Sequence, residues 1–215
     1  MSKKTVRWSG SNECIPISPI YSPASSSSSS SPSPPQSDSI VSERLRFKAN
    51  SVPDFVYDLL YDPTEGHMTG IRLDKELLDQ PATKLSIPEL RVECSRVPYI
   101  MPVRESRSGE GVSVRDLFEQ LHRSLQKSIT PEFWKQASLE VEKGLSEACK
   151  RRCDKLLERN IALAVEAESA GPRRIDFIEG FTIFAGLDDL GYEEKKSKDP
   201  DEIPAYKLRL HVRQG

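Results

Sequence analysis

The spacing of apolar residues along this 215-residue chain changes several times, and each change marks an element. Tyr206, Leu208, Leu210 and Val212 alternate with Lys207, Arg209, His211 and Arg213, the period-two signature of a half-buried strand. Phe55 to Tyr61, between Pro53 and Asp62-Pro63, predicts a strand ending in a turn. Leu85 to Glu93 and Tyr99 to Val103 are two further strand candidates, with Leu90, Val92 and Cys94 on one face of the first. Pro88, Pro98 and Pro102 lack a ladder donor, so they belong at strand ends or on a sheet edge.

Between these candidates the period lengthens. In Gly111-Val112-Ser113-Val114-Arg115-Asp116-Leu117, Ser113 can cap a helix with Asp116 at its third position, and Val112 can staple to Leu117. Val114, Leu117, Phe118, Leu121 and Leu125 then form one apolar face. Thr130-Pro131-Glu132 is a second start, with Pro131 at the first helical position, where its missing donor costs nothing. It predicts a long helical stretch to about Ala167, interrupted near Gly144. Its apolar positions Val141, Leu145, Cys149, Cys153, Leu157, Ile161 and Val165 step by four, and such a stripe drifts by about 40° per step at ~100° per residue. The helix must therefore bend or meet different neighbours. Gly171-Pro172 ends it, and the aromatic block Arg173 to Leu187 belongs to the core. Strands, then helices, then a strand give an α+β fold: a small, mainly antiparallel sheet packed against two to three helices.

Composition divides the chain. Ser22 to Ser39 holds 15 Ser or Pro in 18 positions and has too little apolar surface to offset the entropy of ordering, so residues 1–41 are expected to be a disordered tail and 42–215 a single α+β domain. Thirty-one basic residues against 33 acidic ones give a net charge of -2. The segment before Ile40 carries +1, which leaves -3 on the remainder and argues against a nucleic-acid partner. No stretch approaches the ~20 apolar residues of a membrane span, and no apolar run stands where a secretory signal needs one. The expectation is an intracellular protein, cytoplasmic or nuclear, with Cys14, Cys94, Cys149 and Cys153 as free thiols.

Several of these blocks also resemble a family. A Lys-x-Val-Arg-aromatic start before a Ser/Pro tail, Tyr57-Asp58 before a proline, Pro81-Ala82-Thr83, Gly111 to Leu117, and Arg173 to Leu187 are similar to the fungal, mainly basidiomycete, domain-of-unknown-function family numbered 6699. The last two blocks are the most specific. The chain departs from the pattern in Tyr99, where members often carry Trp, and in a charged insertion from Glu193 to Lys198. The resemblance implies one domain with this order of elements, and it carries over no activity and no catalytic residues.

The search for chemistry yields no catalytic, cofactor-binding or metal-ligating set. His67, His122 and His211 would have to converge with carboxylates or thiols from other elements. Cys149 and Cys153 share a helix face without a second ligand pair, and Ser124 to Lys127 matches Ser-x-x-Lys only as a mid-helix string. Asp54, Asp58 and Asp62 read as a solvated strand face, and Lys150-Arg151-Arg152 with Lys155 and Arg159 as a solvated helix face.

The tail is more specific. Lys4-Thr5-Val6-Arg7-Trp8 fits the basic-x-Val-x-aromatic pattern by which regulatory proteins dock on type-1 serine/threonine phosphatase. In that mode an extended peptide adds to a sheet edge, Val6 and Trp8 enter apolar pockets and Lys4 meets an acidic rim. Ser18, Ser22, Ser31 and Ser33 each precede proline and are candidate phosphorylation sites. The leading expectation is a non-enzymatic interaction or scaffold protein with protein partners. The alternatives are a small enzyme or ligand-binding domain whose site is assembled only in the fold, and a structural part of a larger assembly.

Overall fold

The computed structural model describes residues 39–49, 55–64, 73–192 and 205–214. Five α-helices lie among them: α1 (Lys75–Leu78), α2 (Val114–Leu125), α3 (Pro131–Gln136), α4 (Leu139–Leu157) and α5 (Ile161–Ala170). They accompany strands β1 (Glu89–Cys94), β2 (Val97–Arg104), β3 (Ile183–Tyr192) and β4 (Tyr206–Arg213), with a 3-10 turn at Arg174–Ile178. The sheet runs β2-β1-β4-β3. β1 pairs antiparallel with β2 and parallel with β4, and β3 pairs antiparallel with β4. The fold is α+β with a mixed, mainly antiparallel sheet, as the sequence predicts, but it has more helices than the two to three expected. No helix among the described residues is long and apolar enough to cross a membrane.

Alternation puts Leu90, Val92 and Cys94 of β1 and Leu208 and Leu210 of β4 on the inner face. Against them lies α2, whose Val114, Leu117, Phe118, Leu121 and Leu125 are all buried. The helix starts where its sequence says it should. Ser113 Oγ accepts from the Asp116 amide at 3.1 Å, and the Asp116 carboxylate accepts from the Ser113 amide at 3.0 Å, a closed capping box. Phe118 meets Phe184 edge to face at 5.0 Å and Tyr57 at 4.6 Å, so an aromatic cluster seals the contact between α2 and β3.

Residues 55–61 are not a strand. Only Asp58 forms a bridge, to Ile183, because its own carboxylate accepts from the Leu60 amide at 3.0 Å and turns the chain. Nor does Gly144 interrupt the long helix; it lies within α4 with nothing near its missing Cβ. The breaks fall where polar side chains restart a helix, with Ser138 accepting from the Val141 amide and Asn160 from the Ala162 and Leu163 amides. The stripe drifts off the core as its geometry requires: Leu145 and Cys149 are buried, while Leu157, Ile161 and Val165 are exposed.

Both sheet edges are managed. On β2, Pro98 and Pro102 offer no donor, and the Gln120 side chain brackets Arg104, accepting from its amide at 2.9 Å and donating to its carbonyl at 2.6 Å. On β3, Leu187 exchanges backbone hydrogen bonds with Leu45 and Phe47, and Phe184 donates to the Tyr57 carbonyl. Gly186, at φ +134°, lets this strap close, since a Cβ there would sit 2.5 Å from the Phe47 Cα.

Candidate functional site

The most convergent polar site lies between the C-terminal half of α2, residues 60–62 and α5. It is organised by two side chains one turn apart, His122 on α2 and Gln126 at the cap that ends the helix. His122 Nδ1 donates to the Leu59 carbonyl at 3.1 Å, which makes Nε2 the basic nitrogen of the neutral ring. Gln126 donates to the Leu60 carbonyl at 3.4 Å and accepts from Arg173 Nη1 at 2.8 Å. Arg173 also lies 3.8 Å from Glu166 of α5. These groups, with Tyr61, Asp62, Leu156 and Leu163, line a cleft of about 200 Å³. His122 also borders a shallower depression of about 470 Å³ with Glu119, Arg123 and Lys127. The exposed Arg159 guanidinium lies 4.8 Å from the centre of the Tyr61 ring, and burial pushes the Tyr61 phenol up.

Linked to the cleft through Arg173 is a buried ion pair that the sequence does not announce. Arg152 Nε and Nη2 donate to the two Asp176 oxygens at 2.8 and 3.2 Å, and Nη2 also donates to the Gly171 carbonyl at 3.1 Å. The side chains are 5% and 1% exposed. Burial disfavours the guanidinium charge, but the Asp176 hydrogen bonds outweigh it and hold Arg152 protonated. Asp176 also accepts from the Arg173 amide at 2.7 Å, so the pair ties α4, the end of α5 and the 3-10 turn together. Arg152 therefore does not belong to a solvated basic face. Lys155 also leaves that face to pair with Asp58 at 3.2 Å, and Asp58 is itself buried rather than part of a solvated carboxylate row. Asp54 lies outside the described residues, and Asp62 accepts from the Thr64 amide at 2.8 Å.

The remaining sequence candidates do not join this cleft, although Cys94 and His211 both line a second, open depression of about 530 Å³ with Tyr99 and Arg209. His211 pairs with Asp188 at 2.7 Å and stacks on Phe47 with ring centres 3.9 Å apart, so it pins the strap rather than facing His122. Cys94, Cys149 and Cys153 are free thiols. Burial raises the Cys94 thiol, and burial, outweighing the nearby Arg152, raises that of Cys149 to about 11, away from the activated range. Ser124 is buried whereas Lys127 is exposed. No group of three or more His, Cys, Asp or Glu among the described residues is placed to hold a metal ion. His67, Cys14, the docking residues Lys4, Val6 and Trp8, Ser18, Ser22, Ser31 and Ser33, and the insertion at 193–198 all lie outside the described residues.

The cleft could not be read from sequence, because its residues come from four separate stretches. The one local signal was the charged Arg173-Arg174 pair followed by Asp176 within an otherwise aromatic block. The arrangement sets the Arg173 guanidinium and the acceptor nitrogen of His122 beside the Asp62 and Glu166 carboxylates. No curated protein and no solved structure matches this chain. A family model does match residues 55–200, well over half of the chain and including the capping box, the buried ion pair and the cleft, and the chain belongs to the family of unknown function DUF6699.

Proposed function

We propose that this is a non-enzymatic protein-interaction or scaffold protein whose N-terminal motif, Lys4-Thr5-Val6-Arg7-Trp8, docks type-1 serine/threonine phosphatase. The observation that carries the reading is the state of the domain's own sheet edges. A Lys4–Trp8 strand needs an edge with free donors and acceptors, whereas β2 presents two prolines and a bracketed Arg104, and β3 is bonded at Phe184 by Tyr57 and at Leu187 by Leu45 and Phe47. A motif of this kind then finds its edge in another molecule. The raised thiols and phenols of Cys94, Cys149, Tyr57 and Tyr61 also favour binding over nucleophilic chemistry, since each is held towards its protonated form by burial.

The test is capture of purified type-1 phosphatase by the full chain and by its Val6→Ala/Trp8→Ala variant. The reading expects recovery with the parent and loss with the variant; equal recovery from both, or none from either, sinks it. A second reading, a ligand-binding domain, is favoured by the convergence of His122, Gln126 and Arg173 on one cleft. It requires a small molecule whose thermal stabilisation of the parent disappears in His122→Ala.

A further inference from the structure

Helix α5 is apolar on both sides. Its inner side is set by Ala164 and Ala167, both buried, with Leu163 half-buried. At ~100° per residue, Ile161, Ala162, Val165 and Ser169 share one sector of about 100° on the opposite side. All four are exposed, Ile161 at 69% and Val165 at 57%, and Leu157 at 53% leads into the stripe from the end of α4. Ser169, the one polar residue in the sector, donates its hydroxyl to the Val165 carbonyl at 2.9 Å, so the stripe makes no demand on water. A second apolar stripe left facing solvent, with the first already packed inward, marks a contact surface.

Charge identifies what covers it. Glu168 borders the sector on one side and Glu166 on the other, with Glu158 just before the helix, all three exposed. Among residues 161–170 there is no lysine or arginine; of the nearby cations, Arg159 is turned onto the Tyr61 ring at 4.8 Å, and Arg173 lies 3.8 Å from Glu166 and offsets part of its charge, so Glu158 and Glu168 dominate the rim. A second copy related by a two-fold axis would bring this acidic rim against itself, which disfavours self-association. Ala162 and Ser169 keep one edge of the stripe low, so another backbone can approach beside the ridge formed by the Ile161 and Val165 side chains, whose positions lie about 6 Å apart along the axis.

We propose that the solvent face of α5 docks a basic amphipathic helix of a protein partner, its apolar face on Ile161, Val165 and Leu157 and its flanking lysines or arginines against Glu158, Glu166 and Glu168. The assignment rests on the interaction-protein reading and names the class of partner. It is independent of phosphatase docking, because it places nothing at residues 4–8.

The experiment uses the full chain and a fluorescent synthetic amphipathic helix with leucines on one face and lysines beside them, together with a charge-reversed twin carrying glutamates. Binding is followed by anisotropy at moderate salt. The lysine peptide should bind the parent and the glutamate twin should not. Val165→Glu, at an exposed position, should weaken binding roughly tenfold, the scale of losing one apolar anchor. Glu166→Lys/Glu168→Lys should exchange the preference between the two peptides. Equal binding by the parent and Val165→Glu, or a charge reversal that leaves the preference unmoved, overturns the proposal. So does a dimer in light scattering that Val165→Glu dissolves, since a second copy would then occupy the face. In every case the phosphatase capture of the parent is measured beside it, so failure of this face and failure of the tail motif are read separately.

Discussion

Replacing Arg152 with methionine removes one side of a pair whose members are 5% and 1% exposed. Asp176 would keep only the Arg173 amide at 2.7 Å as a donor, and the Gly171 carbonyl would lose its partner at 3.1 Å. A buried carboxylate stripped of its cation costs about 3–5 kcal/mol, far more than the pair adds over an apolar replacement. For a domain of this size each kcal/mol moves the melting temperature by about 2–4 °C, so Arg152→Met should melt roughly 6–20 °C below the parent. The double variant Arg152→Met/Asp176→Leu removes both charges and should recover most of the loss. Urea unfolding of the parent, both single variants and the double variant closes the cycle. A single variant within about 1 kcal/mol of the parent, or a double variant no more stable than the worse single one, would refute the view that an uncompensated buried charge sets the cost.

The capping box gives a pH-dependent counterpart. Burial alone would raise the Asp116 carboxyl, but hydrogen bonds from Ser113 and Ser106 outweigh it and hold it below its usual value. A depressed carboxylate stabilises the fold above its unfolded value of about 3.9 and loses that contribution as pH falls through the folded value. Asp116→Ala should therefore cost about 1 kcal/mol in denaturant unfolding at neutral pH and progressively less below about pH 4. Iodoacetamide applied to the native chain should modify neither Cys94 nor Cys149, since both thiols are buried and raised, whereas in denaturant both should react; peptide mass mapping that finds Cys149 modified as fast as in denaturant would contradict its placement.

What could be read from the sequence was what neighbouring residues decide among themselves. The Ser113 box, the Thr130-Pro131 start, the Gly171 stop and the alternation of β4 each need fewer than ten residues, and each stands in the structure. Phe55 to Tyr61 failed because strand propensity there competes with a carboxylate that bonds its own chain two residues on. The helix restarts failed for a related reason: the caps at Ser138 and Asn160 decide the breaks, while Gly144 costs α4 only about 1 kcal/mol, which a helix of 19 residues tolerates. The candidate cleft and the ion pair joined to it through Arg173 were illegible because they depend on distance. Arg152 and Asp176 are 24 residues apart and His122 and Leu59 are 63 apart, and nothing local separates a buried arginine from its solvated neighbours Lys150 and Arg151.

The strand order has a consequence for how the molecule is made. β4 is interior to the sheet, yet Tyr206 follows its partner Leu90 by more than a hundred residues. During synthesis at about 5–20 residues per second, the β1–β2 hairpin would wait on the order of 6–20 s with one flank unpaired before the strand that joins it to β3 exists. In that interval Leu90 and Val92 depend on α2 for cover. A nascent chain stalled before residue 206 should accordingly be a better chaperone client than one released after residue 213.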